Sequence, residues 1–107
     1  MLSRLQEIAV LKDGWLDGEG RSFCPQGLAW LSQAWQAQGA DLRQPWVYPT
    51  PEGALSLEWS LPQEDLALTL NLQSRHAEGV WQEKDLFLNL GEPSGWAALR
   101  ALLHSSL

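Results

Sequence analysis

Between residues 13 and 20 the chain reads Asp-Gly-Trp-Leu-Asp-Gly-Glu-Gly, three carboxylates and a tryptophan set among glycines. Oxygen donors at this density are what a hard cation such as calcium uses. An EF-hand loop, however, wants oxygen ligands at its first, third and fifth positions and a bidentate glutamate at its twelfth. Counted from Asp13, the third position is Trp15 and the twelfth is Cys24, so that pattern is not met. A looser cation site in this loop stays open, beside the plainer reading in which Asp and Gly only form turns.

Other chemistries find less support. The two histidines, His76 and His104, lie near neither Cys24 nor a carboxylate at ligand spacing, so a zinc site would have to be assembled wholly by the fold. His76 reads as a turn residue and His104 as the end of the last helix, where a cation suits the helix dipole. Cys24 precedes Pro25, which can place a thiol near a helix N-terminus and lower its pKa. A buried or incidental cysteine is the simpler account. There is no Gly-x-Ser-x-Gly elbow and no glycine-rich phosphate loop with its lysine. The acidic pairs Glu64-Asp65 and Asp17/Glu19 sit in turns and do not amount to an acid/base pair in a cleft. The expectation is a protein without enzymatic activity or cofactor.

The seven tryptophans say more. Trp59 shares parity with Leu55 and Leu57, and Trp96 shares a helical stripe with Leu99 and Leu103, which marks both as core. In a helix over 25–39, Leu28, Leu31 and Trp35 fall on one side, and Trp30, Ala34 and Ala37 on the opposite side. That segment contains no charged residue. Apolar residues on two faces mean burial between layers, under the Pro-rich segment, or an exposed aromatic patch of the kind found at interface hot spots.

These residues must be held by elements whose outlines the periodicity supplies. Leu2, Leu5, Ile8 and Ala9 recur at helical spacing, giving a short amphipathic helix over 2–12. Three glycines beginning at Gly14 end it in an irregular loop, and Pro25 and Gly39 bracket the second helix. Pro45, Pro49 and Pro51 punctuate an extended segment, Trp46 to Tyr48, that leads into the turn Pro51-Glu52-Gly53. The period then becomes two, through 55–61, 66–72 and 86–90, with a further strand over 79–83. Ser56, Glu58, Ser60, Thr69, Asn71, Phe87 and Asn89 should face away from the leucine-rich side. That face is short-chained, polar and nearly uncharged around Glu58. It is either an ordinary wet face or a platform for a strand, peptide or sugar. A closing helix opens at Pro93-Ser94 and puts Trp96, Leu99, Leu102 and Leu103 on one face. The expected fold is α+β: an antiparallel four- to five-stranded meander in the order α-α-β-β-β-β-α, its three helices packed mainly on one face. The 107 residues fit one domain.

Seven basic against 13 acidic side chains give a net charge of −6. The basic residues, Arg4, Lys12, Arg21, Arg43, Arg75, Lys84 and Arg100, are scattered, so binding to a phosphate backbone is not expected. An acidic surface suits a basic protein partner, or simply keeps a small protein soluble. One cysteine allows no intrachain disulfide, and no stretch approaches a signal peptide or membrane span, so a reducing cytoplasm is the expected home.

The loop Asp13–Gly20, followed by Tyr48-Pro49-Thr50-Pro51-Glu52-Gly53 and Leu57-Glu58-Trp59, resembles a group of small uncharacterised bacterial proteins. Members have a W-D-G-x-G loop, a Pro-led helix, and a P-T-x-x-G turn running into a strand that ends in Glu-Trp. The resemblance spans most of the chain, with Leu16 as an extra residue between the loop tryptophan and Asp17. It implies no defined activity. Some similar small proteins look like components of toxin–antitoxin or phage-conflict loci.

Two functional expectations follow. The first is a non-enzymatic protein-binding module, the acidic neutralising partner of a basic protein, working through Trp15, Asp17, Glu19, Trp30 and Glu58. The second is a small-molecule or carbohydrate binder with a site between the Trp15 loop and the Pro45–Pro51 segment. A homodimer formed through Trp30 or an edge strand is a third arrangement.

Overall fold

The computed structural model describes residues 2–105. The chain runs α1 (Leu2–Ala9), α2 (Pro25–Gln38), β1 (Trp46–Pro49), β2 (Leu55–Ser60), β3 (Asp65–Leu70), β4 (His76–Trp81), β5 (Lys84–Asn89) and α3 (Pro93–Ser105). The five strands form one antiparallel sheet in sequence order, an uninterrupted meander. The Trp46–Tyr48 segment lies in edge strand β1: Trp46 pairs with Glu58 and Tyr48 with Ser56. Its prolines bracket an edge strand, where a missing N–H disturbs the ladder least.

The period-two leucines define the buried face. Leu55, Leu57, Trp59, Leu66, Leu68, Leu70, Ala77 and Leu88 form one cluster with Leu5 and Ile8 of α1, Leu28, Leu31 and Trp35 of α2, and Trp96, Leu99 and Leu103 of α3. All three helices therefore bury their stripes on the same side of the sheet. Trp59 and Trp96 are almost wholly buried, and each indole N–H finds a carbonyl: Trp59 donates to Arg43 O and Trp96 to Leu90 O, both at 2.8 Å. Trp35 meets Trp96 edge to face, with centroids 5.9 Å apart. Arg100 ties α3 to the end of α2, donating to Gln38 O and to both carboxylate oxygens of Asp41.

Several boundaries differ from the periodic reading. The first helix stops at Ala9, which is exposed, while the Leu2 side chain lies outside the described ones. On α2 the buried stripe is Gly27, Leu28, Leu31, Ala34 and Trp35, so Ala34 belongs to the core side and not opposite it. Strand β3 ends at Leu70; Asn71 leaves the sheet and its side chain caps the turn, accepting from Gln73 N and Ser74 N. Strand β4 begins at His76 and stops at Trp81, because Gln82 and Glu83 form a two-residue hairpin loop with both φ values positive, 50° and 66°. That is the geometry a right-twisted hairpin favours. His76 is thus a strand residue, with its ring against Phe87 at 4.9 Å.

Candidate functional site

The carboxylate-rich loop is a miniature hairpin. Leu16 and Glu19 exchange both backbone hydrogen bonds, at 2.7 and 2.8 Å, around Asp17-Gly18, whose φ values are 49° and 90°. Asp-Gly is the preferred pair for such a turn, since both central residues need positive φ. Asp13 Oδ1 accepts from Ser22 N at 2.8 Å and closes the base of the loop. That backbone N–H, with the Ser22 hydroxyl, holds the Asp13 carboxyl below its ordinary value. Trp15 points back into the loop: its N–H donates to Arg21 O at 2.9 Å, and its ring packs on Phe23. A Cβ at Gly20 would lie 2.7 Å from Trp15 Nε1, so glycine is required there for the indole to sit down. Asp17 and Glu19 remain at the exposed tip. Among the described residues, no three His, Cys, Asp or Glu side chains group as a metal-binding set.

Trp30 is half-buried against the core, and the Arg75 guanidinium covers it, 5.0 Å from the ring centroid. The indole is therefore neither an open patch nor sealed between layers. Its solvent-facing side already carries an intramolecular cation–π contact.

Glu58 lies elsewhere, on the sheet face that no helix covers. Its carboxylate accepts from Ser56 Oγ at 2.9 Å. Register places Tyr48, Ser56, Thr69, Glu78 and Phe87 in one continuous row across all five strands. A parallel row holds Trp46 beside Glu58 and Glu58 beside Ala67. Trp46, Tyr48, Val80 and Phe87 are 68%, 46%, 55% and 58% exposed, four of the six exposed large hydrophobics among the described residues, and all four share this face. Short side chains fill its middle, so the aromatics stand proud at the two flanks. The face is also more acidic than the sequence suggested, because Asp65, Glu78 and Asp85 join Glu58 on it. At the β1 edge, Arg4 Nε donates to Val47 O at 2.7 Å and its Nη1 meets Glu7 at 2.9 Å. This occupies an edge carbonyl that could otherwise recruit a strand.

The five sequence candidates thus fall in three places: Trp15, Asp17 and Glu19 in the hairpin, Trp30 under Arg75, and Glu58 on the open face. Trp46, Tyr48, Glu78 and Val80 were missed as surface residues. The alternation of Trp46 and Tyr48 around Val47, between two prolines, is the signal that marks the first pair. A cleft of about 220 Å³ lies beside the loop, lined in part by Arg21, Ser22, Glu52 and Asn71, but Trp15 does not line it. Comparison with family models, curated proteins and solved structures finds no match to this chain. No helix among the described residues is long and apolar enough to cross a membrane.

Proposed function

We propose that this protein is a non-enzymatic binding module that docks another protein on the open face of its sheet. The observation that carries the reading is the one-sided exposure of Trp46, Tyr48, Val80 and Phe87 on a surface of otherwise short side chains. Aromatic residues combining apolar area with few rotatable bonds are what binding surfaces concentrate, and here they flank a sheet face that no helix covers. The acidic charge accords with a neutralising partner for a basic protein. The alternative carbohydrate site is less well supported. No cleft joins the Trp15 loop to the Pro45–Tyr48 segment among the described residues, and one side of the Trp15 indole is taken by Gly20 and Phe23.

The test is affinity capture from the native host's lysate, with a Trp46→Ser/Phe87→Ser protein and a Trp30→Ala protein run in parallel. A stoichiometric partner held by the native chain and by Trp30→Ala, and lost from the double variant, is the expected result. A partner lost only from Trp30→Ala would move the surface to α2. No partner in any lane would defeat the reading.

A further inference from the structure

We infer that the occupant of the open sheet face is an extended, arginine-bearing segment of about six residues belonging to a basic protein. This rests on the docking reading above and adds the chemistry of what docks.

The charge distribution gives the sign. Glu58, Asp65, Glu78 and Asp85 face outward, and Lys84, the one basic residue in the five strands, has the opposite parity. Of the 13 acidic side chains, four therefore sit on this face; the other nine are nearly matched by the seven basic ones elsewhere. Four of the six net negative charges are concentrated on one side of one sheet. Arg4, at the β1 edge, is already engaged by Val47 O and Glu7. His76 stands on the face with its ring against Phe87. Such a field steers cationic partners inward and repels nucleic acid and anionic lipid.

Size and charge together exclude a second copy of this chain. Strands of six residues spaced at the usual interval give a face about 20 Å along and about 19 Å across, a footprint of about 400 Å². A stable protein interface of standard size needs about 800 Å² on each side. Two copies face to face would also bring eight carboxylates together. A short extended peptide fits: about six residues at roughly 3.3 Å each cover the same span.

The side chains select arginine over lysine. Carboxylates and exposed aromatic rings alternate across this surface, Trp46 beside Glu58 and Phe87 beside Glu78. A planar guanidinium can stack on a ring and pair with a carboxylate through one group, whereas an ammonium serves mainly as a point charge.

The experiment uses fluorescein-labelled hexa-arginine, hexa-lysine and hexa-glutamate as probes, read by anisotropy against the full chain. Expected is binding in the order arginine, lysine, with none for glutamate, weakened severalfold as salt rises from about 20 to about 200 mM. Glu58→Gln/Glu78→Gln should weaken hexa-arginine about fivefold, from two largely exposed pairs. Trp46→Ser/Phe87→Ser should erase the preference for arginine over lysine. Asp17→Asn/Glu19→Gln, at the hairpin tip, should leave affinity within about twofold. Equal losses from the face and hairpin variants would overturn the inference, since the peptide would then be reading net charge alone. So would absence of hexa-arginine binding, or a native chain that sediments as a dimer and dissociates on Trp46→Ser/Phe87→Ser substitution. If capture from lysate depends on Trp46 and Phe87 while hexa-arginine fails to bind, the docking surface stands and its cationic occupant falls.

Discussion

Replacing Gln82-Glu83 by Asn-Gly should stabilise the protein. The β4–β5 hairpin closes at the pair Trp81 and Lys84, leaving only these two residues to reverse the chain. Both lie in the left-handed region, at φ 50° and 66°, where an ordinary side chain crowds the following carbonyl. That crowding costs about 1–2 kcal/mol per residue, less for Asn and nothing for Gly. The substitution therefore removes about 2 kcal/mol of strain from the folded state. Glycine also loosens the unfolded chain, which takes back about 0.5–1 kcal/mol. The hydrogen bond from Gln82 N to Glu64 Oε1, at 2.9 Å, uses the backbone and survives the change. The net gain is about 1 kcal/mol, or about 4–8 °C in Tm for a domain of this size. Urea denaturation followed by far-UV circular dichroism measures it, with the m-value expected to stay constant. A loss of stability, or a gain that also appears when Asn-Gly replaces an exposed pair outside any turn, would refute the assignment of strain to this loop.

Other substitutions test the packing and the loop. Trp96→Phe leaves Leu90 O without its donor and removes part of the edge contact with Trp35, so chemical denaturation should show a loss of about 2–3 kcal/mol. Less than about 1 kcal/mol would mean the indole N–H is not buried as described. Gly18 has φ 90° and nothing within 4 Å of an added Cβ, so Gly18→Ala should cost about 1 kcal/mol through backbone conformation alone. A larger loss would point to unseen packing at the hairpin tip. Asp13 is held below the ordinary carboxylate range by hydrogen bonds from Ser22, so its contribution is present above that range and vanishes as pH falls through the lower folded pKa. Urea midpoints followed down through this acid range should fall for the native chain and fall less for Asp13→Asn; identical acid limbs would remove Asp13 from the account.

The buried side of this fold was legible because its signals repeat. Leucine at every second position through β2 and β3 can be read without knowing where a strand ends, and so can the stripe Trp96, Leu99, Leu103 in α3. Where the register hangs on a turn, the reading slipped. Gln-Glu carries none of the Asn-Gly or Asp-Gly signature of a two-residue hairpin, so the strand was carried through it to residue 83 and its start at His76 was missed. Asp17-Gly18 does carry that signature. There the difficulty was chemical: clustered carboxylates suggest ligands, while the backbone uses Asp13 as a latch and Asp17 as a turn residue.

That slip at Gln82-Glu83 also hid the candidate surface. With β4 displaced toward its C-terminal end, Glu78 falls outside the strand and Val80 has no defined partner across the sheet, so the face reads as short and nearly uncharged. With β4 in register, Glu78 stands between Thr69 and Phe87, and Val80 opposite Asp85. The same face then becomes acidic and aromatic. Trp30 shows the converse: its apolar surroundings on α2 are visible in the sequence, but the Arg75 that covers it comes from the β3–β4 turn, 45 residues away. A tryptophan's spacing tells which way it points from its own helix, and only the tertiary fold tells what it meets. Trp46, beside Glu58 on the edge strand, is 68% exposed on the open face, and on that difference the docking surface is assigned to the sheet and not to α2.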